Sequence, residues 1–347
     1  MEAAAKQGRA GSGSICDRLS VLPDELLRHV LSFLPAQQVV QTTVLSKRWE
    51  DLWRSMPGIN LDLTDFQRGS MVWEFRDEAW ERLEEFATNL LVLHNAPCLD
   101  VFRLKADFVP HYSRRHLDAW IRRVVKDNPL VLQLLVSCFD AEDEYYYYQL
   151  PHLGSSPCRR LKRLDLNGLY LDHSFAEKLQ SWFPHLEDLI LRECRQGFSV
   201  LQSDKLKNLD IKQCEYVSSD VFVIRVPALA SLHLDIVYCY YKKGISLDAG
   251  KSLMKASVDI HTTNWSQRSE VMLLGGLFSV ANLELIGFQP EAMLDEEFDK
   301  LPIFNNLRTL SLGLRYHAHD AHAFKALGKF LQKSPNLENL CRICRLC

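Results

Sequence analysis

The sequence predicts an α/β chain in two unequal parts: a small N-terminal unit of three short helices, then an irregular repeat solenoid whose parallel sheet lines a concave face. Three observations carry this. Between Leu19 and Pro57 apolar residues recur at helical spacing and are interrupted by prolines. From Leu99 onward, leucine or a substitute recurs at positions one, four and six of segments whose starts lie 20 to 32 residues apart. The 347 residues suffice for one long domain and one small one.

In the first helix Leu22, Leu26, Leu27, Val30, Leu31 and Leu34 mark an apolar side, while Asp24, Glu25, Arg28 and His29 take the other. Pro23 suits the first turn, where no amide donor is needed. Pro35 cannot continue the helix, so a second, β-branched segment begins near Gln37 and includes Val39, Val40, Thr43, Val44 and Leu45. Ser46 is the expected N-cap of a third helix carrying Trp49, Leu52 and Trp53 on one side, ended by Pro57 and Gly58. Helices this short are marginal in water, and a unit of this size rarely folds unsupported. Their apolar sides must meet something else. A helix-turn-helix DNA reader is disfavoured, because the third helix mixes acids with its bases and carries two indoles.

These residues resemble the F-box in its plant form: Asp17, Arg18 and Leu19, then Leu22 to Leu27, then Val44 to Trp49 with Leu52 and Trp53. The resemblance implies docking on a Skp-family adaptor, which connects to a cullin and a RING subunit of a ubiquitin ligase. The residues expected to serve that docking are Leu22, Pro23, Leu26, Val30, Leu31, Leu34, Val44, Leu45, Trp49, Leu52 and Trp53. The pattern does not divide them between the adaptor and the small core.

Residues 1–16 are small, polar and glycine-containing and are expected to form a flexible leader, with the F-box at 17–57. A linker and bridging helix are expected at 58–97, the helix running from Met71 to His94, and the repeat array at 98–347. A second helix, His116 to Lys126, is expected beside the early repeats, its arginines solvated. The net charge of −3 gives no reason to expect nucleic-acid binding. The most apolar run, Leu130 to Val136, is far short of a membrane span, so no membrane partner is expected. Ten cysteines at irregular spacing, with no secretion signal, suggest free thiols in the cytoplasm or nucleus.

The clearest repeats are Leu161, Leu164, Leu166; Leu186, Leu189, Leu191; Leu206, Leu209, Ile211; and Leu229, Leu232, Leu234. Cys194 and Cys214 fill a buried ninth slot. Weaker copies begin at Leu253, Val280 and Leu307, and degenerate ones are read as Leu99, Phe102, Leu104 and Val131, Leu134, Val136. The array resembles the irregular leucine-rich repeats that follow plant F-boxes. Alternation along each strand sends leucines inward and their neighbours outward, and the stretches between strands, such as Asp172 to Phe183, can supply a helical outer layer. The exposed face should carry Arg163, Asp165, Asp188, Arg192, Asp210, Lys212, His233 and Asp235, which are the candidate contacts to an unknown target protein. Their signs alternate, which provides no Lys/Arg cluster for a polyphosphate.

Enzyme signals are absent. Gly244 to Ser252 places five residues between its glycines where a phosphate-binding loop needs four, and neither a GxSxG elbow nor an HExxH pair occurs. His317, His319 and His322 lack completing ligands, and the tail Cys341, Cys344, Cys347 offers three thiols where structural zinc takes four, so no metal or other cofactor is expected. Asp140 to Tyr148 reads as a loop. Leu337 and Leu340 begin a further repeat whose third slot holds Arg342. Many plant members continue into an FBD-type region, which is not evident here, so a shortened product is an expectation. The expected function is therefore a non-catalytic substrate receptor of a Skp-cullin-F-box ligase; the alternative is a leucine-rich-repeat scaffold bound to the adaptor alone.

Overall fold

The computed structural model describes residues 19, 21–67, 76–139, 145–153, 157–237, 240–261, 265–313 and 320–342. The expected leader, Asp17, Arg18, Trp73, Asp140 to Glu144, His317, His319, Cys344 and Cys347 lie outside them, as does the side chain of His322.

Three helices open the described chain: α1 (Asp24–Leu31), α2 (Ala36–Gln41) and α3 (Lys47–Arg54), with a 3-10 turn at Thr42–Val44. Pro23 and Pro35 each stand just before a helix rather than within its first turn. Ser46 holds the N-cap position of α3 in extended conformation, but its side chain makes no capping hydrogen bond. Two longer helices, α4 (Arg76–Leu93) and α5 (Arg114–Lys126), follow.

The backbone of the fold is a twelve-stranded sheet whose strands pair in chain order. They are Gly58–Asp62, Val101–Pro110, Val131–Phe139, Arg163–Asn167, Asp188–Arg192, Asn208–Lys212, Ser231–Ile236, Lys255–Ile260, Asn282–Ile286, Thr309–Gly313 and Asn339–Arg342, all parallel along this path. The short strand Tyr145–Tyr146 joins antiparallel to the third. The register superimposes the leucine slots: Leu164, Leu189, Leu209, Leu232, Ala256, Leu283 and Leu310 stand in one row, and all are 2% exposed or less.

Two rows are read differently from the sequence. Leu132 and Leu134 pair with Leu164 and Leu166, so the degenerate copy expected at Val131, Leu134 and Val136 is displaced by two residues. A two-residue shift keeps the same side of a strand inward, so the apolar alternation alone did not fix it. The expected linker also contains a strand: Ile59 and Leu61 pair with Phe102 and Leu104, and Met56 stands three residues before Ile59, giving a further copy of the one-four-six spacing.

The stretches between the strands of the large sheet differ from repeat to repeat. Several of the longer repeats, with starts 25 or more residues apart, connect their strands through helices: His173–Trp182, Gln267–Gly276 and Asp320–Gln332. The central repeats, 20 to 24 residues apart, lack room for a strand, two turns and a helix. They carry short strands instead, which join Leu169–Leu171 and Tyr148–Gln149 of the two preceding repeats in two small sheets ordered Glu215–Tyr216, Arg195–Gln196, Leu169–Leu171, Tyr148–Gln149 and Val200–Gln202, Phe222–Arg225, Ile245–Asp248. The expected helical outer layer is thus replaced by strands in the centre.

A recurring turn ends several strands. Gly168, Glu193, Gln213 and Gly287 all have positive φ, and each donates its amide to a carbonyl at the end of the next strand: Arg192, Lys212, Asp235 and Gly313, of which Asp235 is the last residue but one. The following side chains, Leu169, Cys194, Cys214 and Phe288, are fully or almost fully buried.

Candidate functional site

Helix α1 carries two apolar stripes rather than one. Leu27 and Leu31, four residues apart, are 1% and 2% exposed and pack in a small core with Trp49, Leu52, Trp53 and Val39. Leu26, Val30 and Phe33 form a second stripe at the same helical spacing, and they are 51%, 52% and 73% exposed. Leu19 and Val21 before the helix, and Val44 and Leu45 before α3, are exposed as well. The expected docking residues therefore separate by burial. Pro23, Leu26, Val30, Val44 and Leu45 face solvent, Leu22 and Leu34 are half-buried, and Leu31, Trp49, Leu52 and Trp53 are core. The sequence reasoning missed Leu19, Val21 and Phe33, although Phe33 was legible as the seventh residue after Leu26.

The helices are fastened internally and to the array. The Arg48 guanidinium donates to the Asp24 carboxylate and the Leu22 carbonyl, which ties α3 to the start of α1. At the other end of α3, buried His94 donates from Nε2 to the Met56 carbonyl at 2.8 Å, and the Asn95 amide donates to the Arg54 carbonyl at 2.9 Å. Burial pushes the His94 pKa below its ordinary value, and the bond to Met56 offsets only part of that.

On the polar side of the large sheet, the expected charged residues are mostly engaged with one another. Asp165 is 3% exposed and accepts from Arg192 Nη1 at 2.7 Å and from Gln133 Nε2 at 3.3 Å. Asp210 accepts from His233 Nδ1 at 2.9 Å and pairs with Lys212 Nζ at 3.0 Å. Burial pushes the Asp210 carboxyl up, but those two donors outweigh it and leave the pKa below the usual carboxylate value. Asp188 accepts from Asn208, and Asp235 accepts from Gln213 Nε2 at 3.3 Å. His261, which the sequence did not single out because it lies just past a strand, bridges Asp235 and Asp259 at 3.3 and 3.4 Å. Arg163 is exposed at the beginning of its strand. The alternation of sign read from the sequence is realised as side-chain pairing, between adjacent strands for Arg192 with Asp165 and His233 with Asp210, and within one strand for Lys212 with Asp210.

A family model described as the F-box domain matches residues 19–59. The chain is 31% identical over 354 residues to the MEIOTIC F-BOX protein MOF of Oryza sativa subsp. japonica, an alignment spanning 93% of this chain and 70% of that protein. It is also 26% identical over 346 residues to an F-box/LRR-repeat protein of Arabidopsis thaliana, spanning 93% of this chain and 54% of that one. The chain belongs to the plant F-box/LRR-repeat family. Within that family, an FBD-associated F-box protein of Arabidopsis thaliana is 27% identical over 367 residues, covering 95% of this chain and 77% of the relative. The chain thus spans between about half and three quarters of the length of these relatives. F-box proteins generally act as substrate adaptors of Skp-cullin-F-box ubiquitin ligases, and an F-box domain implies binding to a Skp-type adaptor. No helix among the described residues is long and apolar enough to cross a membrane.

Proposed function

We propose that this F-box/LRR-repeat chain is the substrate-recognition subunit of a Skp-cullin-F-box ubiquitin ligase. Its N-terminal helices dock on the Skp-family adaptor, which brings the cullin and RING subunit, and its repeat sheet holds a target protein. In this reading the F-box spans 17–57, the array is a solenoid whose polar sheet side is concave, and the complex works in the cytoplasm or nucleus. The chain performs no bond chemistry and needs no cofactor; it contributes proximity, holding a target lysine near the ubiquitin-charged enzyme.

One observation carries the reading. The second apolar stripe, Leu26, Val30 and Phe33, remains exposed after the small core has formed, and Val44 and Leu45 beside α3 are exposed as well. Such a stripe on a helix is suited to a hydrophobic groove of a partner. Covering the exposed half of Leu26 or of Val30 is worth about 1 kcal/mol each. Removing both costs about 2 kcal/mol, roughly thirtyfold in affinity.

The test is co-expression with a plant Skp-family adaptor and size exclusion of the wild type and of Leu26→Ser/Val30→Ser. The expected result is co-elution lost in the variant, whose circular dichroism remains native. An unchanged complex in the variant sinks the docking assignment. Cullin in the same pull-down separates a ligase receptor from a scaffold held by the adaptor alone.

A further inference from the structure

Where the early strands begin, a cleft of about 620 Å³ opens between three segments: residues 96–98 after α4, residues 126–128 at the end of α5, and the loop at 157–160. Its charges do not cancel internally. Asp127 is taken by Arg123 at 2.6 Å, and Arg160 is taken by Asp100 at 2.6 Å and by the Asn128 carbonyl at 3.3 Å. That leaves Lys126 and Arg159, both exposed and both lining the cleft, with no carboxylate in ion-pair range among the described residues. Asn128 fixes the two segments that carry them. It adopts a left-handed conformation at φ 51°, its Oδ1 accepts from the Arg159 amide at 3.1 Å, and its Nδ2 donates to the Lys126 carbonyl at 3.3 Å.

We propose that this cleft receives a carboxylate-rich stretch of extended peptide, one acidic side chain pairing with Lys126 and another with Arg159. The proposal rests on the receptor reading in one respect: the peptide belongs to the captured target. The occupant follows from how the charge is distributed. A phosphate dianion calls for donors converging on one point. Here the third cation, Arg160, is already bound, and the two available ones stand on separate segments. Carboxylates on different residues of a peptide can each reach a cation on its own segment, and Pro97 and Pro157 offer apolar wall to the backbone between them. Single exposed ion pairs are weak, so affinity depends on engaging both cations together.

The experiment measures fluorescence anisotropy of a labelled peptide of glutamates interspersed with glycine and alanine, titrated with the full chain at about 50 mM salt. Saturable binding is expected, weakened at least about tenfold in Lys126→Glu/Arg159→Glu. It should be unchanged in Lys251→Glu, a surface charge far along the array, and lost with the matched glutamine peptide. If the charge-reversed variant misfolds, Lys126→Gln/Arg159→Gln replaces it, with a severalfold loss expected. Equal binding by wild type and both double variants overturns the proposal. So does binding confined to a peptide with a single phosphoserine among glutamines. Adaptor co-elution of the same wild-type preparation separates the two readings: a chain that co-elutes with the adaptor but does not bind the peptide refutes the cleft alone. A chain that fails to co-elute refutes the receptor reading.

Discussion

Arg192→Met should destabilise the chain by about 2–3 kcal/mol, and most of that loss should vanish when Asp165 is also changed to Asn. The Asp165 side chain is 4% exposed and that of Arg192 is 32% exposed, 2.7 Å apart on neighbouring strands. Removing the partner of a buried charge typically costs about 3–5 kcal/mol, because the remaining ion is left without compensation. Here the figure is reduced, since Arg192 is a third exposed and Gln133 still donates to the carboxylate, though at 3.3 Å. Asp165→Asn alone should cost about 1 kcal/mol, because Arg192 can turn to water while the amide keeps a hydrogen-bond partner. The double variant should then lie near the Asn single variant, with a coupling of about 2–3 kcal/mol. Urea unfolding of the four proteins measures it. A coupling below about 0.5 kcal/mol would refute the claim that these two residues hold each other. They would then be available to a target as independent charges.

Four further outcomes rest on local geometry and burial. Gly287→Ala should cost more than about 2 kcal/mol in urea unfolding, because at φ 73° its Cβ would lie 2.0 Å from the Ile260 carbonyl oxygen. Gln213→Gly, at the equivalent turn, should change stability by no more than about 1 kcal/mol, since Gln213 already tolerates φ 52°. His94 has a folded pKa below its unfolded value, so the unfolded chain takes up the proton first. Its contribution is intact above the unfolded value of about 6.5 and declines as pH falls from there towards the folded value. His94→Gln should flatten that part of a stability–pH profile; an unaltered slope would contradict the burial argument. Native alkylation at neutral pH followed by mass spectrometry should label exposed Cys98 and Cys341 and spare Cys158, Cys194, Cys214 and Cys138, the last with a thiol pushed up to about 12 by burial.

The strand positions were legible because each repeat places leucines two residues apart within a strand, and the parallel register then aligns Leu164, Leu189, Leu209 and Leu232 in one buried row. The first strand was not. Met56, Ile59 and Leu61 have the right spacing, but Pro57 and Gly58 between them read as the end of a helix. The outer layer was legible only in part: the helix expected within Asp172 to Phe183 forms at His173–Trp182, but the short strands of the central repeats depend on pairing with the neighbouring repeat, which local pattern does not give. In the N-terminal helices, composition announced more apolar surface than three short helices could bury. It could not assign Leu26 and Leu27 to opposite fates, because adjacent residues on a helix lie about 100° apart and either could have faced the core. On the polar sheet side Asp165 was expected to be exposed but is buried, because its pairing with Arg192 depends on which strands become neighbours.

The junction between the two parts bears on how a receptor of this kind could work. Helix α3 ends at Arg54, and the first strand starts at Gly58, so only three residues separate the helical unit from the sheet. Those residues are not free. Met56 is 3% exposed with its carbonyl bound by His94, and the Pro57 carbonyl accepts from the amides of Asp100 and Val101 at the start of the second strand. A flexible linker would let a target sample many positions, lowering its effective concentration near the ubiquitin-charged enzyme as the tether lengthens. A junction built into the sheet instead fixes the direction from the exposed stripe of Leu26, Val30 and Phe33 to the polar side of the sheet. On the receptor reading, this places the burden of selecting a lysine on how the target lies across the array, and lengthening the junction should impair ubiquitin transfer while leaving adaptor and target binding intact.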